Sequence, residues 1–261
     1  MTAGATRALR VLWVGYLLQL KILAVNAFDG VLNVIYPLFF ATCALLMFSQ
    51  SGDPQALVYA ALGSAVMGTW SAMATSASGA LQGLRWQGVL ELLVCAPTRV
   101  GLAILPITGA LATVALYSFV ATLVWSRVLF GIEVSVASPL GLIVAMLVTL
   151  ASLATFGFLL SVTVVRYRTG WALGNALEYP GWLLCGFLVP LQLFPEWVRW
   201  IAYLLPPTWG MDAIRAAAAG GDPWRDIAIC ALVGLGYAVL ATVLSERLID
   251  SARRHATLAL T

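Results

Sequence analysis

The chain has 261 residues, of which 62% are hydrophobic and only 10% are charged. A mean hydropathy of +0.96 is too high for a soluble globular domain, so it indicates a protein that folds within a lipid bilayer. The net charge of +3 is not gathered into a basic face with interleaved aromatic residues, and we expect no nucleic-acid partner.

The first predicted element is residues 1–28. Its cations Arg7, Arg10 and Lys21 share one side of a helix whose other faces carry aromatic and leucine side chains. This pattern predicts an amphipathic helix that lies on the inner leaflet of the membrane. A cleaved signal peptide ending near residues 25–27 is the alternative, but Lys21 interrupts the apolar region that such a peptide needs.

Six apolar stretches follow, and a helix of about 20 residues is enough to cross a hydrocarbon core of about 30 Å. The predicted spans are 29–49, 55–78, 102–126, 139–165, 172–190 and 227–247. We therefore expect an all-α integral membrane protein with one transmembrane domain over residues 1–261. Its six-span core covers residues 29–249, and residues 250–261 form a cytoplasmic tail.

The distribution of cations predicts the orientation. Ten of the fourteen Lys and Arg residues fall on the side of the two termini, and four fall on the other side. Cytoplasmic loops carry the excess of positive charge in multi-pass proteins. Both termini are therefore predicted to lie in the cytoplasm, with the protein in the cytoplasmic membrane.

Several kinds of chemistry are excluded by composition. The only lysine, Lys21, does not follow a phosphate-binding loop, and the only histidine, His255, lies in the polar tail. The four cysteines are too dispersed to suggest a metal site or a redox pair. We expect no catalytic residue, no metal and no cofactor in this chain, and thus a subunit that is not itself an enzyme.

The loop between the second and third spans, residues 83–99, is short and amphipathic. Arg85, Gln87 and Glu91 supply polar groups between apolar residues, and Pro97 ends the helix. A helix of this kind, parallel to the inner surface, suits the docking of a cytoplasmic partner. A simple interfacial helix is the alternative.

The segment after the fifth span predicts a helical hairpin on the outer face. Pro195 and the pair Pro206–Pro207 punctuate two helices that are too short to span the membrane. The hairpin carries four aromatic residues of the type found at membrane boundaries: Trp197, Trp200, Tyr203 and Trp209. It is expected to be re-entrant or interfacial, and a plain aromatic anchor is the alternative.

Glu178 is an ionisable residue within the fifth span, with Asn175 three residues before it and Pro180 just after it. A charge at membrane depth is costly and is a candidate functional group. Glu178 and Asn175 are expected to line a translocation path or to pair with a partner subunit. Alternatively, Glu178 is a structural carboxylate paired with Arg166 or Arg168.

Residues 88–97, Gly-Val-Leu-Glu-Leu-Leu-Val-Cys-Ala-Pro, resemble the Gly-x-Leu-Glu-x-Leu-x-x-x-Pro segment of type-2 permeases of ATP-binding-cassette (ABC) exporters. The outer hairpin is also similar to that family, with Pro190, Pro195, Trp197, Leu205–Pro206 and Arg215 in the same order. The Cys–Ala pair before the final proline is less typical of it.

The resemblance implies that residues 88–97 form a coupling helix that docks on an ATPase subunit. The expected coupling residues are Arg85, Gln87 and Glu91, together with Arg166 and Arg168 in a short inner turn. Two copies of the ATPase, which bind ATP and Mg²⁺, and a second permease chain, identical or different, are the implied partners.

These patterns predict the permease subunit of an ATP-driven exporter in a bacterial cytoplasmic membrane. The spans offer few polar groups, so the expected substrate is amphipathic or hydrophobic. A drug or antibiotic is the first expectation, and a lipid or a lipid-linked polysaccharide is the second. A secondary transporter that works without ATP, or a membrane scaffold with no transport, is the rival interpretation.

Overall fold

The computed structural model describes residues 2–25, 27–50, 52–89, 92, 100–134, 136–166 and 170–255. The elements in these ranges are α1 (Thr2–Val25), α2 (Ala27–Ser49), α3 (Pro54–Trp70), a π-helical turn (Ser71–Thr75), α4 (Ser76–Trp86), α5 (Val100–Phe130), α6 (Pro139–Arg166), α7 (Gly170–Leu184), a 3₁₀ turn (Leu191–Leu193), α8 (Glu196–Leu204), α9 (Pro206–Ala219) and α10 (Trp224–His255). The described part of the chain is all-α, as predicted.

Four helical segments are long and apolar enough to cross a membrane. Within the described residues these are Pro54–Met73, Leu105–Phe130, Pro139–Ser161 and Trp224–Arg247. They correspond to the predicted second, third, fourth and sixth spans. The chain is thus a multi-pass membrane protein.

The predicted first span falls within α2, which has 23 residues, whereas the fifth predicted span is only partly helical. In α2 the apolar described segment is Ile35–Ser49. Helix α7 has 15 residues and ends at Leu184, six positions before the predicted end at residue 190. The chain leaves the helix there because Gly186 adopts a left-handed conformation with φ of 70°, and a turn follows. A topology of six spans stays a prediction.

Helix α6 is central to the bundle, where it packs against α9 and α10. Ser152 Oγ donates to the Cys230 carbonyl (3.1 Å), and Thr155 Oγ1 donates to the Gly234 carbonyl (3.0 Å). Gly234 faces Ser152, and any side chain at residue 234 would meet that serine and its backbone. The missing Cβ therefore lets the two helix backbones approach closely.

The loops that the cation pattern places outside meet at one end of the molecule. Ala137 N donates to the Ala218 carbonyl (3.3 Å) and Ser138 N to the Ala217 carbonyl (3.1 Å), so the loop after α5 is joined to the end of α9. Ile132 from the same loop packs in a buried apolar cluster with residues of α2 and α3. We call this end, with residues 50, 52–53, 131–134, 136–138 and 185–223, the hairpin end.

Helix α1 packs along α5 rather than standing apart from the bundle. Tyr16 OH lies 2.9 Å from Thr113 Oγ1, and Gly15 lies against Pro106. Arg10 and Lys21 are exposed, as are many apolar side chains of the helix. A helix was predicted for residues 1–28, and its place on the inner leaflet stays a prediction.

Candidate functional site

Two of the predicted coupling residues lie at the end of α4. Arg85 is half-buried in the last turn of the helix, and Gln87 is exposed in the turn that follows. That turn closes with Gly88 N donating to the Arg85 carbonyl (3.0 Å), and Gly88 has φ of 70°, a conformation that favours glycine.

The other coupling residues are only partly described. Arg166 is the last residue of α6, and its side chain is outside the described part. Glu91 and Arg168 both lie outside the described residues. Their contact with an ATPase stays a prediction.

Glu178 is buried, with only 7% of its surface exposed, and it has a defined partner on another helix. Ser71 Oγ donates to Glu178 Oε1 over 2.7 Å. The described partner is thus a neutral hydroxyl 107 positions away. The side chains of Arg166 and Arg168 lie outside the described part of the chain, so a pairing of Glu178 with either arginine stays a prediction.

A close approach of α3 and α7 makes this hydrogen bond possible. The indole of Trp70, the residue before Ser71, lies directly against Gly181, and any side chain at residue 181 would clash with the indole ring. Glu178 is one turn before Gly181 on the same helix, so it reaches the level of Ser71.

Ser71 also begins the π-helical turn Ser71–Thr75, in which the Ser76 amide bonds to the Ser71 carbonyl. A π-helical turn holds one more residue than an α-helical turn, and such turns are frequent at functional sites. The hydroxyl partner of Glu178 therefore lies at a local irregularity of the second predicted span.

Asn175 is exposed on the surface of α7, whereas Glu178 is buried. Of the two predicted path residues, Glu178 is thus in the protein interior and Asn175 is on its surface, although they are one turn apart. Next to Glu178, Tyr179 OH lies 3.3 Å from Tyr36 OH of α2, which joins α7 to α2.

The segment predicted to form the outer hairpin contains two short helices, α8 and α9, and its re-entrant or interfacial place on the outer face stays a prediction. Trp197 and Trp200 are 68% and 74% exposed on one face of α8, whereas Val198 and Ala202 are buried on the other. Their spacing is that of an amphipathic helix, and the exposed tryptophans suit a membrane boundary.

The two remaining aromatic residues of the hairpin contact each other. The rings of Tyr203 and Trp209 are 5.1 Å apart, and Trp209 Nε1 donates to the Tyr203 carbonyl (2.9 Å). Thr208 Oγ1 donates to the Ala202 carbonyl (2.6 Å). These contacts fix α9 against α8 across the turn at Pro206.

Arg215 of α9 ties three parts of the hairpin end together. Its Nη1 donates to the Gly186 carbonyl (2.9 Å) and its Nη2 to the Phe187 carbonyl (2.6 Å). Its Cζ is 3.4 Å from the ring centroid of Tyr59 in α3, a cation–π contact. Burial lowers the pKa of Arg215 to about 10, so the guanidinium stays charged at neutral pH.

Ser71, Tyr36, Tyr179 and Tyr59 were missed by the sequence reasoning. Each acts through a contact between distant helices, which no local spacing displays. Arg215 could have been identified from the sequence, because a single cation on a short apolar helix requires hydrogen-bond acceptors nearby. No three His, Cys, Asp or Glu side chains lie together as a metal site within the described residues.

Comparison with known families gives one clear result. Residues 12–218 match the family model described as ABC-2 type transporter. No curated protein sequence matches the chain. Because the match covers most of the chain and includes α2 to α9, the protein belongs to the ABC-2 type transporter family, as a transmembrane permease component of an ABC transporter.

Proposed function

We propose that the chain is the permease subunit of an ATP-driven exporter, which moves an amphipathic or hydrophobic substrate outward across the cytoplasmic membrane of a bacterium. The family membership is the observation that carries this proposal, since ABC-2 permeases normally act with an ATP-binding subunit. A drug or antibiotic is the proposed substrate, because the spans are strongly apolar.

The proposed assembly has two ATPase copies and two permease chains, with ATP and Mg²⁺ bound in the ATPases. Closure of the ATPases would press on the loop around Glu91 and on the inner turn at residues 166–170. The side chains of Arg85 and Gln87, at the start of that loop, would take part in the contact. Rigid-body tilting of the helices would then change access between the two sides.

A lipid or lipid-linked polysaccharide is the second candidate substrate, and a groove at the hairpin end favours it. The groove measures about 470 Å³ and lies between α2, α3 and the segment after α7. Its lining is almost wholly apolar and includes Phe48, Tyr59 and Leu193. An acyl chain that leaves through the outer leaflet would fit such a lining.

The test is the change Glu91→Ala in the purified complex. We expect weaker retention of the ATPase, or ATP turnover that no longer responds to substrate, because Glu91 lies in the segment that resembles the coupling helix. Both are measured by co-purification and by ATPase assays in proteoliposomes.

Glu133→Ala is the matched control, since it removes a carboxylate from the exposed loop at the hairpin end and should leave coupling unchanged. If Glu91→Ala couples normally, the assigned role of Glu91 is wrong. Transport at full rate by the chain without any ATPase would refute the proposed function and support a secondary transporter.

A further inference from the structure

Glu178 forms no salt bridge with a cationic side chain within the described residues. The carboxyl group is buried within an apolar helix, and its described partner is the neutral hydroxyl of Ser71. The ion pairs Arg127–Glu133 and Glu196–Arg199 both belong to the hairpin end and do not involve Glu178. An ionised carboxylate at membrane depth calls for a positive partner.

The surroundings of Glu178 are aromatic. Four rings from α2 and α7 form a continuous array, with centroid distances of 4.7 Å for Tyr36–Phe40, 5.0 Å for Phe40–Trp182 and 5.1 Å for Tyr179–Trp182. Tyr179 follows Glu178 in sequence, and Trp182 is one turn later on α7. The Tyr36 hydroxyl lies 3.3 Å from the hydroxyl of Tyr179, the residue that follows Glu178.

The array is open on one side. Tyr179 is 54% exposed and Tyr36 is 38% exposed, whereas Trp182 and Glu178 are buried behind them. Glu178 and Trp182 are thus on the buried face of α7, and the exposed rings of Tyr179 and Tyr36 lie beside that face. A ligand can therefore contact the rings of Tyr179 and Tyr36 without unfolding any helix of the chain.

A carboxylate combined with ring faces selects one class of ligand. The negative faces of aromatic rings attract organic cations, and the carboxylate adds a direct charge contact in a weakly screened environment. A neutral amphiphile gains only apolar contact there, and an organic anion is repelled. The rings also bury the apolar groups that surround the charge of a lipophilic cation.

We infer that Glu178, with the rings of Tyr36, Tyr179 and Trp182, forms a binding site for a lipophilic organic cation. This deepens the proposed function, on which it rests, by giving the transported amphiphile a positive charge. Ser71 orients one carboxylate oxygen by its hydrogen bond, and so acts as a positioning residue.

The test uses two probes of nearly equal size and opposite charge. Binding of tetraphenylphosphonium and of tetraphenylborate is measured on the whole complex in lipid nanodiscs without nucleotide. Wild type should bind the phosphonium and not the borate at this site. Glu178→Gln should weaken phosphonium binding by about tenfold or more, a change that corresponds to one lost charge contact.

Glu133→Gln is the matched control. Its exposed carboxyl group is in the loop after α5 at the hairpin end, and that loop contributes no ring to the aromatic array. Phosphonium binding that falls equally in both variants would show only attraction to surface charge and would overturn the inference. Unchanged binding in Glu178→Gln would overturn it as well.

A second pair of variants separates the ring from the hydroxyl. Tyr179→Phe and Tyr179→Leu both remove the hydroxyl contact with Tyr36, but only the leucine variant removes the ring. We expect phosphonium binding to be kept in Tyr179→Phe and weakened severalfold in Tyr179→Leu. Equal binding by the two variants would contradict a role for the ring face. Because Tyr179 is exposed, both variants are expected to fold.

A measurement on the wild-type protein covers the case in which Glu178→Gln fails to assemble. Dicyclohexylcarbodiimide modifies carboxyl groups within membranes, and mass spectrometry locates the product. The phosphonium, but not the borate, should protect Glu178 from modification. Absence of protection would overturn the inference, and it would then place the positive partner elsewhere, such as on a second permease chain.

The experiments test the exporter mechanism and the cation-binding site independently. The probes report on Glu178 without ATP, whereas Glu91→Ala reports on coupling to the ATPase. Normal coupling without phosphonium binding refutes the cation site alone. Phosphonium binding at Glu178 in a chain that needs no ATPase refutes the exporter mechanism alone.

Discussion

Arg215 and Asp212 show how burial acts on single charges at the hairpin end. The guanidinium of Arg215 exchanges water for two carbonyl oxygens and the face of Tyr59, so its charge is kept. Asp212 lies one turn earlier on α9 and has less compensation. Burial raises the pKa of its carboxyl group to about 6, although the positive charge of Arg215 acts in the opposite direction.

The raised pKa of Asp212 predicts a stability that depends on pH. Between the unfolded value of 3.8 and the folded value of about 6, the folded state binds the proton more tightly. The free energy of unfolding should therefore fall as pH rises through this window, and the loss persists above pH 6. Asp212→Asn should flatten this part of the profile and raise stability at pH 7.

Unfolding of the detergent-solubilised complex between pH 4 and 7 provides the measurement for Asp212. Glu133→Gln serves as the control at an exposed carboxyl group of the same end and should retain the wild-type slope. A profile of Asp212→Asn that equals the wild-type profile would contradict the assignment.

Close helix packing in this protein depends on glycine residues at the positions where two helices meet. In α10, Gly234 faces Ser152 of α6, whereas Gly236, two positions later, has no neighbour within 4 Å among the described residues. The pair offers a test within one helix, because the two residues have the same chemistry and different surroundings.

Gly234→Ala should destabilise the fold by about 2 kcal/mol, since the new methyl group meets the Ser152 side chain and backbone and forces α6 and α10 apart. Gly236→Ala should change stability by less than about 1 kcal/mol, in the favourable direction of helix propensity. Unfolding of both variants in the same detergent gives the comparison. Equal stability of the two variants would show that the close approach contributes nothing.

The apolar stretches predicted the helices well, because membrane helices must satisfy their backbone within one segment and so appear in sequence as long apolar runs. The two short helices α8 and α9 were predicted from the prolines around them, which are also a local signal. The end of α7 was placed too late, since residues 185–190 are as apolar as a helix and only the backbone at Gly186 stops it.

The candidate site was less predictable from sequence. Glu178 was identified because a carboxyl group in an apolar run is conspicuous. Its partner Ser71 was not, because the contact depends on Trp70 lying against Gly181, a packing relation between distant helices. The acceptors of Arg215 are backbone carbonyls, which every residue carries and no sequence pattern marks.

At the scale of the whole molecule, the loops after α2, α5, α7 and α9 all meet at the hairpin end, joined by backbone hydrogen bonds and a small apolar cluster. Gln87 and its turn follow α4, at the other end of the predicted second span from the hairpin end. The cation pattern predicts that the hairpin end faces outward and the turn at Gln87 faces the cytoplasm.

Labelling of single cysteines tests that orientation. In a chain whose four native cysteines are replaced by alanine, Gly221→Cys at the hairpin end should react with an impermeant maleimide in intact cells. Gln87→Cys should react only after the membrane is opened, because its turn is predicted to be cytoplasmic. Both positions are exposed. The reverse pattern would invert the topology, and retention of the ATPase verifies that the cysteine-free chain is assembled.

The π-helical turn at Ser71–Thr75 also sets the rotation of α4 about the helix axis, because α3, the turn and α4 follow one another without a break. One surplus residue rotates α4 by about 100° relative to an uninterrupted α-helix. The side of the helix on which Arg85 lies, in the last turn of α4, therefore depends on the π-helical turn that begins at the partner of Glu178. Relaxing that irregularity into regular helix would rotate Arg85 around the helix axis. A movement at the buried carboxyl group would thus be transmitted to the end of α4 that is predicted to be cytoplasmic.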